Sequence, residues 1–263
     1  MERLEAFVLE VLKEVAALPE EAMRLKHLGA RLRALEPEEA ARFFDILYRR
    51  ERRDGDTRRV LHILVDPGEF KEALGEGAYK NISHASIRLG LRRVTRLFTD
   101  LPPRKAGVYG YDKEEEAKME FIPLGKRRSL SRTHDQDTID RLLSDPDPLV
   151  IRNILDNTRT LEHQVVKIAS KRPNSPVILR LLATHRVWSR RYGVIKAVAR
   201  NPYSPPRVSV ALVELLFTRD VEEIAVDLTL HQQVRQSARD TLTHHPPGGP
   251  GGGRPGGRPR RTW

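Results

Sequence analysis

Apolar residues recur at three- and four-residue intervals through the first hundred positions, the spacing that gathers side chains on one face of an α-helix. Leu4, Val8, Leu12 and Val15 form one stripe, Leu25, Leu28, Leu32 and Leu35 a second, and Phe43, Ile46 and Leu47 mark a third helix. Pro37, Glu38 and Glu39 open that third helix. A proline loses no hydrogen bond there, and carboxylates meet the positive end of the dipole. A further helix is predicted from Ser83 to Leu101, with Ile87, Leu91, Val94 and Phe98 on one face and Arg88, Arg92 and Arg96 stepping along another.

The periodicity lapses over residues 102–133, where Pro102, Pro103, Gly107, Gly110, Pro123 and Gly125 punctuate the chain and predict a linker or extended arm. Within it, Phe121 to Arg132 reads FIPLGKRRSLSR. Its apolar start beside four basic residues suits a strand-like segment packed on the helices and followed by a solvated loop. A docking peptide, a membrane-surface contact or a kinase target at Ser129 or Ser131 are the alternatives.

Helical spacing returns over 134–245 and repeats itself. LVIRNILDNTRTLEHQVVKI from Leu149 aligns with GVIKAVARNPYSPPRVSVAL from Gly193 at a constant offset of 44 residues. Val150 then matches Val194, Arg152 matches Lys196, Ile154 matches Val198, Asn157 matches Asn201 and Thr160 matches Ser204. A weaker copy keeps the four-residue step at Val234, Ala238 and Leu242. The pattern predicts one helix ending near the asparagine in a left-handed conformation and the next starting at the hydroxyl residue, which caps its free amides. Ser175-Pro176 and Ser204-Pro205 are cap-then-proline starts of the same kind.

At these residues the chain resembles the leucine-rich repeat variant family, within the broader HEAT-like class of helical repeats. Asp145, Pro146, Asp147, Val150, Arg152 and Asn157 match its pattern in one copy, and Val194, Lys196, Asn201, Pro202, Ser204 and Pro205 in the other. Thr184-His185-Arg186 stands where the family's aspartate turn falls, and the spacing is longer than the family's short unit. The resemblance spans about residues 140–243 and implies a short solenoid that serves as a platform for partners. The family's founding type carries an iron–sulfur module on clustered cysteines. This chain has no cysteine, so that module is not implied here.

Composition agrees with helix packing: 39% hydrophobic, 32% charged and only 6% aromatic. The absence of cysteine also removes disulfides, thiolate zinc sites and a cysteine nucleophile. No stretch approaches the roughly 20 apolar residues of a membrane span, and the acidic N-terminus does not read as a signal peptide, so a cytoplasmic location is expected. Pro246 to Trp263 is Gly-, Pro- and Arg-rich and is expected to be a disordered basic tail.

Charge is the sharpest functional clue. Of the net +11, residues 159–207 hold eleven basic side chains against one acidic, Glu162. Arg180, Arg186, Arg190, Arg191, Lys196, Arg200 and Arg207 form the dense part, with Trp188 and Tyr192 interleaved as stacking platforms or as packing between repeats. Enzymatic signals are weak. The nine histidines, His244-His245 included, lack metal-ligand spacing. Gly75-Glu76-Gly77 lacks the lysine and hydroxyl of a phosphate loop, and the acidic run Asp112 to Glu116 reads as solvated.

The sequence therefore predicts an all-α protein in four parts: a helical N-terminal domain (1–101), the linker (102–133), HEAT-like repeats (134–245) and the tail (246–263). The function it suggests is a nonenzymatic scaffold binding an acidic partner, a protein surface before a nucleic acid, with no cofactor, metal or small-molecule substrate. DNA or RNA binding is the second reading. HEAT-like DNA glycosylases for alkylated bases, also small, basic and helical, are a third, although their catalytic aspartate has no counterpart that can be placed here.

Overall fold

The computed structural model describes residues 2–51, 54–107 and 118–245; the expected basic tail and the acidic run at 112–116 lie outside them. Among the described residues there are sixteen α-helices, two short 3-10 turns and no strand. No helix among the described residues is long and apolar enough to cross a membrane.

The first seven helices are α1 (Glu2–Ala17), α2 (Glu21–Arg33), α3 (Pro37–Arg49), α4 (Gly55–Ile63), α5 (Pro67–Leu74), α6 (Glu76–Arg88) and α7 (Arg92–Leu97). All three opening stripes face inward: Val8, Leu12 and Val15, then Leu25, Leu28 and Leu32, then Phe43 and Leu47 are buried. Pro37 is the first residue of α3. The core they build is more aromatic than the composition suggests, because five of the seven phenylalanines (Phe7, Phe43, Phe44, Phe70 and Phe98) and Tyr79 meet edge-on.

The single helix expected from Ser83 to Leu101 is two helices. Gly90 interrupts it at φ +67°, the left-handed region open to glycine. Leu91 N–H then bonds Ser86 O at 2.9 Å, closing α6. The break rotates Ile87 to 60% exposure while Val94 and Phe98 stay buried. It also aims Arg93 and Arg96 into the protein.

Residues 101–107 cross the second half of the chain: Lys105 N–H donates to Pro202 O at 3.2 Å, and a Cβ on Gly107 would lie 3.4 Å from Pro173. Where a strand-like segment was expected, a 3-10 turn (Lys118–Phe121) leads into helix α8 (Leu124–Leu130). Arg127 and Arg128 fasten α8 to Asp145 and Asp147 at 3.3 and 3.0 Å, so two of the four basic residues are structural. Ser131 is wholly buried and accepts Asn153 Nδ2 at 3.0 Å, which removes it as a kinase target, whereas Ser129 is exposed.

The remaining helices are α9 (Gln136–Leu142), α10 (Pro148–Asp156), α11 (Glu162–Ser170), α12 (Pro176–Thr184), α13 (Tyr192–Ala199), α14 (Pro206–Val213), α15 (Thr218–Val226) and α16 (Gln232–His244). They pack on next-but-one neighbours, with α8, α10 and α12 in one row and α11 and α13 in another. The 44-residue register spans three helices and so lays a helix of one row on a helix of the other. Proline-led starts recur at a shorter step, 28 then 30 residues, at Pro148, Pro176 and Pro206, and the first two of these helices, α10 and α12, pack on each other.

The turns that close these helices share one chemistry, which differs from the sequence expectation. Among the described residues none other than glycine has positive φ. Asn157 leaves α10 in an extended conformation (φ −74°, ψ 125°), and its side chain accepts Arg159 N–H at 3.0 Å. Asn201 does the same for Tyr203 N–H at 3.0 Å, Asp227 for Thr229 N–H at 2.9 Å and His185 for Val187 N–H at 3.3 Å. Thr160 and Ser204 do not cap the following helix. Their hydroxyls turn back to Ile154 O (2.5 Å) and Val198 O (2.7 Å), adding a second donor to carbonyls that already accept Asn157 N–H and Asn201 N–H at 3.1 Å.

The first and second helical regions share one apolar core. Helix α7 packs on α3, α14 and α16, and α4 packs on α14. The sequence boundaries at 101 and 134 therefore mark where the chain crosses over, with packing continuous beneath.

Candidate partner-binding surface

The basic segment centres on α13, which packs against α11 and meets α15 through its side chains. Lys196 Nζ lies 2.7 Å from Asp220 and Arg200 Nη1 2.6 Å from Glu223, both carboxylates on α15. Arg191 reaches back to Glu162 on α11 at 4.0 Å. Gly193 permits that approach, since a Cβ there would sit 3.4 Å from Glu162 and Val166. Tyr192 donates its hydroxyl to Asp220, accepts Phe217 N–H at 3.1 Å and stacks on the Phe217 ring with centroids 4.4 Å apart. Burial pushes the Asp220 carboxyl up, but hydrogen bonds from Lys196 and Tyr192 outweigh it and hold the group below the usual aspartate range.

Other members of the basic cluster face inward. Trp188 is 8% exposed, and its indole N–H donates to Leu155 O at 2.8 Å. It secures the turn after α12 and offers no stacking platform. Arg207 is 3% exposed, donates to Leu64 O at 2.8 Å and lies against the Phe70 ring. Burial lowers its pKa. It bridges the two halves of the chain and presents nothing to a partner. Arg190 is exposed but pairs with Glu21 of α2 at 2.9 Å.

Arg180 and Arg186 remain. Both are exposed and have no ion pair among the described residues. Arg180 lies on α12 beside α10, and the 28-residue register sets it level with Arg152, also exposed and unpaired among the described residues. The same register aligns Leu149, 44% exposed, with Val177, 51% exposed. Val187, 43% exposed, follows Arg186. This α10–α12 face, arginines alternating with bare aliphatic side chains, was missed from sequence. Setting DPLVIRNILDN over SPVILRLLATH would have found it.

A cleft of about 300 Å³ adjoins α12 on its other side. Glu21, His62, Asp66 and Glu69 stand around it, with Leu25 and Ile63 forming apolar wall. His62 Nε2 lies 3.0 Å from Ser189 O, tying α4 to the turn after α12. Among the described residues no three histidine or carboxylate side chains are placed to hold a metal ion. No family model, curated protein or solved structure matches the chain.

Proposed function

We propose that the chain is a nonenzymatic helical-repeat scaffold of the HEAT-like kind, docking an acidic protein surface on the α10–α12 face. The observation that carries this reading is the difference between the two rows. Cations of α13 are matched one by one with carboxylates, whereas Arg152, Arg180 and Arg186 are left unpaired beside Leu149, Val177 and Val187. Interfaces are built from such apolar anchors with arginine among them. A helical stack offers them at a regular step. The aliphatic alternation favours a protein over a nucleic acid, for which the buried Trp188 supplies no exposed ring.

The test is a pull-down from native lysate, with and without nuclease, using the wild type and an Arg152→Gln/Arg180→Gln/Arg186→Gln variant. The expected result is a nuclease-resistant partner captured by the wild type and lost by the variant, which folds normally because these side chains are exposed. Capture abolished by nuclease, with a steep fall as salt rises, points to nucleic acid instead. Capture unchanged in the variant overturns the proposal.

A further inference from the structure

The cleft between α2, α4, α5 and α12 has a different chemistry from the basic face beside it. Its ionisable side chains are Glu21, Asp66, Glu69 and His62, and no lysine or arginine lines it. Two cations stand by its margin: Arg190, which pairs with Glu21, and the buried Arg207, whose guanidinium interacts with Asp66, so Glu69 is the carboxylate left open to a further cation. Asp66 keeps one oxygen on the α5 amides at Gly68 and Glu69, and Glu69 is exposed. Buried Leu25, Ile63 and Val65 supply an apolar floor. A cationic group with an apolar body suits such a cleft.

The chain itself carries a segment of that chemistry. The 18 residues after His245 contain Arg254, Arg258, Arg260 and Arg261, no acidic residue, and Trp263. The segment is anchored at its start by His245, whose Nε2 lies 3.2 Å from Tyr48 O. Tyr48 and Arg207 interact electrostatically, and Arg207 bonds Leu64 O, whose neighbours Ile63 and Val65 line the cleft. The departure point is thus a few side chains from the cleft floor. Eighteen residues are long enough for the purpose, since a chain of that length reaches at most about 60 Å.

We propose that this cleft is the docking site of the chain's own C-terminal segment, with the arginines of 254–261 on Glu69 and Trp263 against the apolar wall. Exposed arginine–carboxylate pairs contribute little each, so a free peptide of this sequence binds weakly. A short tether supplies a millimolar effective concentration, and the attached segment is held where the free one is not. The contact is electrostatic and salt releases it.

Because the sequence has no cysteine, Thr262→Cys in the full chain places a single nitroxide label beside Trp263. Amide signals of Leu25, Ile63 and Ala183 should lose most of their intensity at low salt. They should recover in about 1 M salt, where charges are screened beyond roughly 3 Å, and in a full-length Arg254→Gln/Arg258→Gln/Arg260→Gln/Arg261→Gln variant. Glu69→Gln, at an exposed position, should restore part of the signal without disturbing the fold. Unbroadened cleft amides at low salt overturn the proposal, as does broadening that survives the arginine substitutions or falls on α10 and α12 instead. Broadening seen only when labelled and isotope-enriched chains are mixed overturns it too, since contact within one chain is then excluded.

Discussion

Arg93 on α7 and Glu214 at the end of α14 form an ion pair at 2.9 Å with side chains only 6% and 3% exposed. Glu214 also accepts the Thr241 hydroxyl of α16 at 3.0 Å, so one carboxylate joins three helices. Removing one partner of a buried pair costs about 3–5 kcal/mol, while apolar replacement of both is often neutral. Glu214→Ala should lower Tm by about 10 °C, at roughly 2–4 °C per kcal/mol for a chain of this size. Arg93→Met/Glu214→Leu should regain more than half of that, because Arg93 already lies over the Tyr48 ring with Nε and Nη1 unbonded. Thermal melts followed by circular dichroism decide it; a double variant as unstable as the single would show that the charge pair itself is required.

Gly29 lies inside α2, where alanine ordinarily gains about 1 kcal/mol. Here a Cβ would fall 2.2 Å from Ala73 O, a backbone atom of α5 that cannot swing aside. Gly29→Ala should therefore destabilise by about 2 kcal/mol or more. Urea unfolding checks the sign, and a stabilised variant would mean that α5 slides freely along α2.

The turn after α13 depends on Asn201, whose amide donates to Ala169 O at 2.8 Å and Lys171 O at 2.9 Å while its oxygen accepts Tyr203 N–H. Asn201→Ala removes the side-chain donor to both carbonyls and should cost about 2–4 kcal/mol. Ser204→Ala removes one of two donors to Val198 O, which still accepts Asn201 N–H at 3.1 Å, and should cost about 1 kcal/mol. Equal losses in the two variants would contradict this hierarchy.

The charged cluster was legible as a cluster and illegible as a surface. A window of sequence counts cations and cannot see that their carboxylates arrive from Glu21 on one side and from Asp220 and Glu223 on the other. Stripes such as Leu25, Leu28 and Leu32 were readable because a helix is local. Gly90 was not, since Leu91 and Val94 carry the apolar period across it and only the backbone shows the turn. The asparagine and hydroxyl residues do stand at the helix ends, but the hydroxyls bond back to the preceding helix and the asparagine amides reach to earlier turns, directions that spacing does not encode. The 44-residue likeness follows the shared turn chemistry after α10 and α13, whereas α10 packs on α12, a pair whose likeness in sequence is weaker.

Stability should also fall as pH drops through the histidine range. Burial lowers the His185 pKa, with Asp156 opposing it, and burial lowers that of His231. A base with a depressed folded pKa contributes stability above its unfolded value, near 6.5, and loses it as pH falls toward the folded value. His185 Nδ1 accepts Val187 N–H at 3.3 Å, a bond that protonation removes. Urea midpoints should decline from about pH 7 to pH 5, the window around the unperturbed histidine value, and His185→Asn should decline less. A flat wild-type profile would rule out this linkage.

The crossing of the chain also imposes an order of events during synthesis. Arg93 and Arg96 find their carboxylates, Glu214 and Asp240, only 121 and 144 positions later. At about 5–20 residues per second the ribosome needs roughly ten seconds to deliver them. Throughout that interval α7 waits with two guanidinium groups and the face that α14 and α16 will cover still exposed, which adds it to the stretches of the nascent chain that a chaperone would have to shield.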